Sequence, residues 1–108
     1  MRPAIEDVCR LVAEHYGYVT TDDIRGRGRS RSVADARAIA IWLAREKYGL
    51  SYPELGREFE RDHTTCMTAV QKVDSATGIL RESALMLRVR VVQNPGIYVW
   101  NMGTIGAA

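Results

Sequence analysis

The sequence predicts a single all-α domain, and three observations carry that expectation. Apolar residues recur at i, i+3, i+4, i+7 in separate stretches, the spacing that lines one side of a helix. Ser32 with Asp35, and Ser51 with Glu54, have the serine-to-acid spacing of a capping box. Glycine and proline stand where these stretches would stop and start. At 108 residues the chain suits one core without staples.

Taken in order, Pro3 suits a first helical position, and Ile5, Val8, Cys9 and Val12 form a stripe that Gly17 ends. Thr20 or Thr21 is expected to cap a short turn through Asp22, Asp23 and Ile24. The Ser32–Asp35 box opens a helix through Ala36, Ile39, Trp42 and Leu43 to Tyr48, with Gly49 as its C′ residue. The Ser51–Glu54 box opens another, with Pro53 in its first turn and Leu55 and Phe59 facing inward. After a break at Glu60-Arg61, Asp62 caps a helix whose stripe is Cys66, Ala69, Val70 and Val73. At about 100° per residue, Thr64, Thr68 and Gln71 fall on its opposite side. Two short helices joined by such a turn, the second with polar residues outward, form a helix-turn-helix.

Charge localises the expected partner. Formal net charge is only +2, yet thirteen of the fifteen basic residues are arginine. Arg25, Arg27, Arg29 and Arg31 alternate with Gly and Ser, and no acid falls between Asp23 and Asp35. Such a cationic arm on a nearly neutral chain suits a localised anionic partner. The polar start of the last motif helix suits readout of base edges.

At this point the chain resembles a known family. Arg29-Ser30-Arg31-Ser32-Val33-Ala34, then Arg37, then Ser51-Tyr52-Pro53-Glu54-Leu55-Gly56, then Arg61-Asp62-His63-Thr64-Thr65 is similar to the C-terminal DNA-binding domain of the bacterial replication initiator DnaA. The likeness runs from Ile5 to Asp74, roughly two thirds of the chain. In that family the recognition helix enters the major groove of a short A/T-rich box, and an arginine from the basic loop enters the adjacent minor groove. The resemblance therefore implies that Arg29 is the minor-groove arginine, which suits the narrow, electronegative groove of A/T tracts. Asp62, His63 and Thr64 are then base readers, with Pro53 close beside them. Thr65, Arg37, Arg45 and Lys72 are expected on phosphates, fixing register without reading sequence. Arg27, Arg31, Arg61 and Thr68 complete the expected DNA-binding set.

The sequence also departs from the family. The usual F-G-G-R-D-H is here Phe59-Glu60-Arg61-Asp62-His63, one residue shorter and without glycine. The turn thus lacks its easiest left-handed residue, which bears on how the reading helix is presented. No G-x-x-x-x-G-K-S/T occurs in the chain, so a stand-alone DNA-binding protein without the ATPase module is expected. After Asp74 the likeness fades. Ile79–Gln93 reads as a closing helix, but Leu87, Val89 and Val91 alternate with Arg88 and Arg90 as a strand would.

The expected division is therefore residues 1–93 as the helix-turn-helix domain and 94–108 as a tail. The tail turns at Asn94-Pro95-Gly96 and carries Ile97, Tyr98, Val99, Trp100 and Met102. Two readings of it stay open. It packs back on the helices, or residues 97–102 form a homodimer or protein-partner surface, as a β-hairpin or an irregular segment.

Enzymatic chemistry finds little support, since His15 and His63 are the only histidines and join no cluster with nucleophile or ligand spacing. No catalytic residue, metal or cofactor is expected, and His15 reads as a packing residue. Cys9 and Cys66 read as core thiols in a reducing compartment, and no stretch is long and apolar enough for a membrane, so a cytoplasmic protein is expected. The functional expectation is sequence-specific binding of double-stranded DNA at a DnaA-box-like site, as a small regulator of transcription or replication initiation. The alternative is an interaction module that docks a replication or transcription protein through the tail.

Overall fold

The computed structural model describes residues 1–93, so the tail's turn, hairpin and partner surface lie outside the described residues. Six helices run in order: α1 Pro3–Tyr16, α2 Thr21–Arg25, α3 Arg31–Tyr48, α4 Tyr52–Phe59, α5 His63–Asp74 and α6 Gly78–Gln93. The described residues contain no strand, and no helix among them is long and apolar enough to cross a membrane.

Local chemistry sets most boundaries where the sequence places them. Pro3 opens α1 and Gly17 closes it. Thr20, rather than Thr21, caps α2 in a reciprocal box with Asp23. The Ser51–Glu54 box opens α4, and Asp62 caps α5. One cap differs. The N-cap of α3 is Ser30, whose Oγ accepts from the Val33 amide at 3.3 Å, so Ser32 lies inside the first turn. Ser32 instead meets the Tyr18 hydroxyl at 3.2 Å, and Asp35 pairs with Lys72 at 2.8 Å. The serine-to-acid spacing was real, but an earlier serine takes the capping role and both members of the pair have other partners.

Helix α3 is the axis of the molecule. Ala38 through Ala44 are all buried, about two full turns with no solvent-facing side. A helix apolar all round must be enclosed, and α3 touches each of the other five helices. The small side chains of Ala36, Ala38, Ala40 and Ala44 admit such close neighbours. Against it pack Ile5, Val8, Cys9 and Val12 of α1, Leu55 and Phe59 of α4, and Cys66, Val70 and Val73 of α5. Cys9 and Cys66 are both free and buried, and burial pushes the Cys9 thiol up to about 12.

Residues 78–93 are helical, which decides between the two sequence readings. Leu87 and Val91 are buried one turn apart, whereas Val89 is 54% exposed, so the alternation of valines and arginines is incidental to a helical face. Met86 and Val92 are also exposed on α6. The helix is tied to α1 by His15, whose Nε2 lies 3.2 Å from Ser83 Oγ, and by Arg90 with Glu14 at 3.3 Å. Burial, and then Arg90, hold His15 below its ordinary titration range, in keeping with a packing role.

Leu55 and Val70 join the two motif helices within this core. We predict that Leu55→Ala and Val70→Ala each cost roughly 1–5 kcal/mol, because truncation leaves a cavity that a close-packed core fills poorly. Thermal unfolding checks this, and an unchanged midpoint in both variants contradicts the packing.

Candidate nucleic-acid interface

The start of α5 is built by its cap. Asp62 Oδ1 accepts from the Thr64 amide at 2.9 Å and from the Thr64 hydroxyl at 2.7 Å. These bonds hold the Asp62 carboxyl below its usual range, so it stays an anionic acceptor. The side chains of Asp62 and His63 are 67% and 56% exposed, with His63 Nδ1 3.6 Å from the same carboxylate oxygen. Thr64, Thr65 and Thr68 are exposed as well, and Thr68 donates back to the Thr64 carbonyl at 3.0 Å. With its hydroxyl hydrogen committed to Asp62, Thr64 offers an approaching ligand its methyl group and acceptor lone pairs. Asp62 thus serves as cap while its second oxygen remains open as an acceptor.

The turn that aims α5 keeps a left-handed residue without glycine. Glu60 takes φ 54°, ψ 50° and closes α4, with its amide bonded to the Gly56 carbonyl. The Arg61 amide reaches the same carbonyl at 2.9 Å. Glycine is required instead at Gly56, where a Cβ would fall 2.6 Å from the Arg61 carbonyl oxygen. So the family's missing glycine is replaced by strain at Glu60, and close approach at Gly56 sets how α4 meets α5.

Pro53, Arg57, Arg61, Asp62 and His63 border one shallow depression with Gly56 at its base. Arg57 was absent from the sequence-based set. The signal available was its spacing, one turn after Pro53 on the same side of α4. A second shallow groove, between α3 and α5, is bordered by Thr65, Thr68, Lys72 and Arg37 over a floor that includes Ala34, Ala38 and Ala69. Most of the expected phosphate contacts meet there.

The arginines divide into two groups. Arg27, Arg29 and Arg31 are exposed, and among the described residues none has an acidic partner within ion-pair distance. Arg25 is drawn back to Asp22 at 2.8 Å and Glu6 at 3.2 Å, leaving the outward arm as residues 27–31. Arg37 and Arg45, expected on phosphates, are engaged by the protein itself. Arg37 donates from all three nitrogens to the carbonyls of Asp23, Ile24 and Gly28, at 2.9–3.1 Å. Arg45 donates to the Leu50 carbonyl at 2.8 Å and lies 4.0 Å over the Tyr52 ring, joining the end of α3 to α4. Arg61, expected to contact DNA, donates to the carbonyl of Gly26. The reason is common to all three: helix ends and the short loops after them leave carbonyls without backbone partners, and a half-buried guanidinium fork is a strong donor to them. Lys72 stays partly exposed although paired with Asp35.

Known proteins match the stretch of chain that carries these residues. The family model described as the bacterial DnaA protein helix-turn-helix matches residues 5–73, from α1 nearly to the end of α5. The chromosomal replication initiator protein DnaA of Deinococcus radiodurans is 42% identical over 88 residues, covering 82% of this chain and 18% of that protein. Its counterpart in Mycobacteroides abscessus is 44% identical over 75 residues, covering 69% of this chain and 15% of that protein. The chain thus spans less than a fifth of the length of these relatives.

The turn yields a paired prediction. Gly56→Ala forces a methyl group against backbone and is expected to cost about 1–3 kcal/mol. Glu60→Gly removes a left-handed penalty of about 1–2 kcal/mol, offset by about 0.5–1 kcal/mol of glycine entropy, so a small gain is expected. Denaturant midpoints check both, and a neutral Gly56→Ala contradicts the close approach of α4 to the turn.

Proposed function

This chain belongs to the bacterial DnaA helix-turn-helix family, and on that premise we propose that it binds double-stranded DNA sequence-specifically at a DnaA-box-like site. The observation that supports this most is the pairing of an exposed polar helix start with an exposed arginine arm that, among the described residues, has no acidic partner. In this reading α5 enters the major groove and Arg29 enters the adjacent minor groove. Asp62 accepts from cytosine N4, the Thr64 methyl packs on a thymine methyl, and His63 reads a neighbouring base edge. Thr65, Thr68 and Lys72 hold the phosphate backbone from the rim of the α3–α5 groove, and Arg27 and Arg31 add to the attraction for phosphate. Arg57 flanks the reading side chains from α4. The protein performs no bond chemistry in this role: it occupies a site, as a regulator of replication initiation or transcription.

The division between base readers and backbone contacts is testable by competition binding. His63→Ala and Thr64→Ala are expected to weaken preferred-site binding by about 1–3 kcal/mol each while leaving non-specific binding nearly intact. Arg29→Ala is expected to relax preference only at the A/T positions of the box that face the minor groove. Retention of full site preference by all three variants contradicts the proposal.

A further inference from the structure

The arginine arm leaves the body of the protein at a place held with unusual density. Helix α2 has only five residues, so its final carbonyls lack the successors that would bond them. The Gly26 amide satisfies one, Asp23 O, at 3.2 Å. Side chains from two distant parts of the chain supply the further donors. Arg37 on α3 donates through Nη2 to Asp23 O at 2.9 Å, through Nε to Ile24 O at 2.9 Å, and through Nη1 to Gly28 O at 3.1 Å. Arg61, in the turn before α5, donates through Nη2 to Gly26 O and lies 3.5 Å from Arg25 O. Two guanidinium groups therefore grip five backbone carbonyls between residues 23 and 28, immediately before Arg29.

Both arginines are half-buried, and no acid pairs with either among the described residues. Carbonyl dipoles at the end of α2 and just past it face both cations, and the Asp23 charge lies near Arg37. Such charge–dipole bonds in a partly desolvated site are weakened by salt less than an exposed ion pair. Arg61 also precedes Asp62, the cap of the reading helix, so the grip reaches directly from arm to reader.

We propose that Arg37 and Arg61 are positioning residues that fix where the arm departs relative to α5, so that minor-groove and major-groove readout share one register. This rests on the DNA-reading role proposed above. Three carbonyls answered by one planar fork explain why arginine stands at position 37, since a lysine ammonium has no such fork. The consequence is a spacing rule: the protein should reject duplexes in which the A/T step is displaced by one base pair from the rest of the box.

The test has one arm without DNA and one with it. Backbone relaxation of Gly26 and Gly28 in the full chain is expected to give order parameters of about 0.85, falling below about 0.6 in Arg37→Gln and Arg37→Lys while α3 and α5 amides stay rigid. On DNA, displacing the A/T step is expected to cost the wild type about tenfold in affinity and the Arg37 variants little, and adding Arg29→Ala to Arg37→Lys is expected to relax the A/T preference no further. Unchanged order parameters in both variants overturn the proposal. So does an Arg37→Gln variant that loses affinity equally for every duplex, with the salt slope reduced by about one, while Arg37→Lys binds normally, since that is how a phosphate contact behaves. If the wild type prefers no duplex, the DNA-reading role fails, and the relaxation data alone still decide whether the two arginines hold the arm. Should Arg37→Gln fail to fold, Arg37→Lys and Arg61→Gln carry the same readouts.

Discussion

Everything at the interface is hung from α3. Its buried middle, Ala38 through Ala44, leaves no side exposed, and its alanines let the other helices close in. Side chains along it that carry polar atoms are then used as ties. Arg37 grips the base of the arm, Asp35 holds Lys72 of α5, Trp42 Nε1 donates to Asp74 Oδ1 at 2.9 Å, and Arg45 secures the entry to α4. A cavity or an overpacked residue in α3 therefore disturbs arm, turn and reading helix together, because a close-packed core transmits strain instead of absorbing it.

The same residue type performs two opposite jobs around that axis. Arg25, Arg37, Arg45 and Arg61 each donate to protein acceptors, and so stiffen the segments that carry the interface. Arg27, Arg29 and Arg31 keep theirs for solvent or a partner. A net charge of +2 then understates the local field, since the inward cations sit against carbonyl dipoles and the outward ones project from one short arm. In the proposed DNA-reading role, specificity benefits from this division. A freely moving arm adds attraction for any phosphate, whereas an arm of fixed departure adds information about where the minor groove narrows.

Much of this was legible from residue order. The stripes of α1 and α5 face the core as their spacing requires, and Thr20, Ser51 and Asp62 cap as short polar residues before apolar runs should. What the sequence hid has identifiable causes. A serine-to-acid pair at Ser32–Asp35 has the capping spacing, yet Ser30 sits two residues earlier and takes the cap. In α6, residues 87, 89 and 91 alternate in polarity with 88 and 90, a pattern that both a strand and a doubly apolar helix satisfy over so few positions. The inward roles of Arg37, Arg45 and Arg61 were invisible for a deeper reason. Their partners are backbone carbonyls, which every residue carries, so no side-chain pattern marks them. Strain at Glu60 was hidden likewise, since left-handed geometry without glycine leaves no trace in composition.

In the proposed function one face, made of the α5 start and the arm, meets DNA in a single event. Amide chemical-shift changes on titrating a preferred duplex into the full chain test it most directly. The expected result is a joint set of perturbations at residues 27–31 and 62–68 that saturate at the same DNA concentration, with the exposed side of α6 around Met86 and Val89 unaffected. Perturbations confined to α6, or saturation of the arm and α5 at different concentrations, would contradict it.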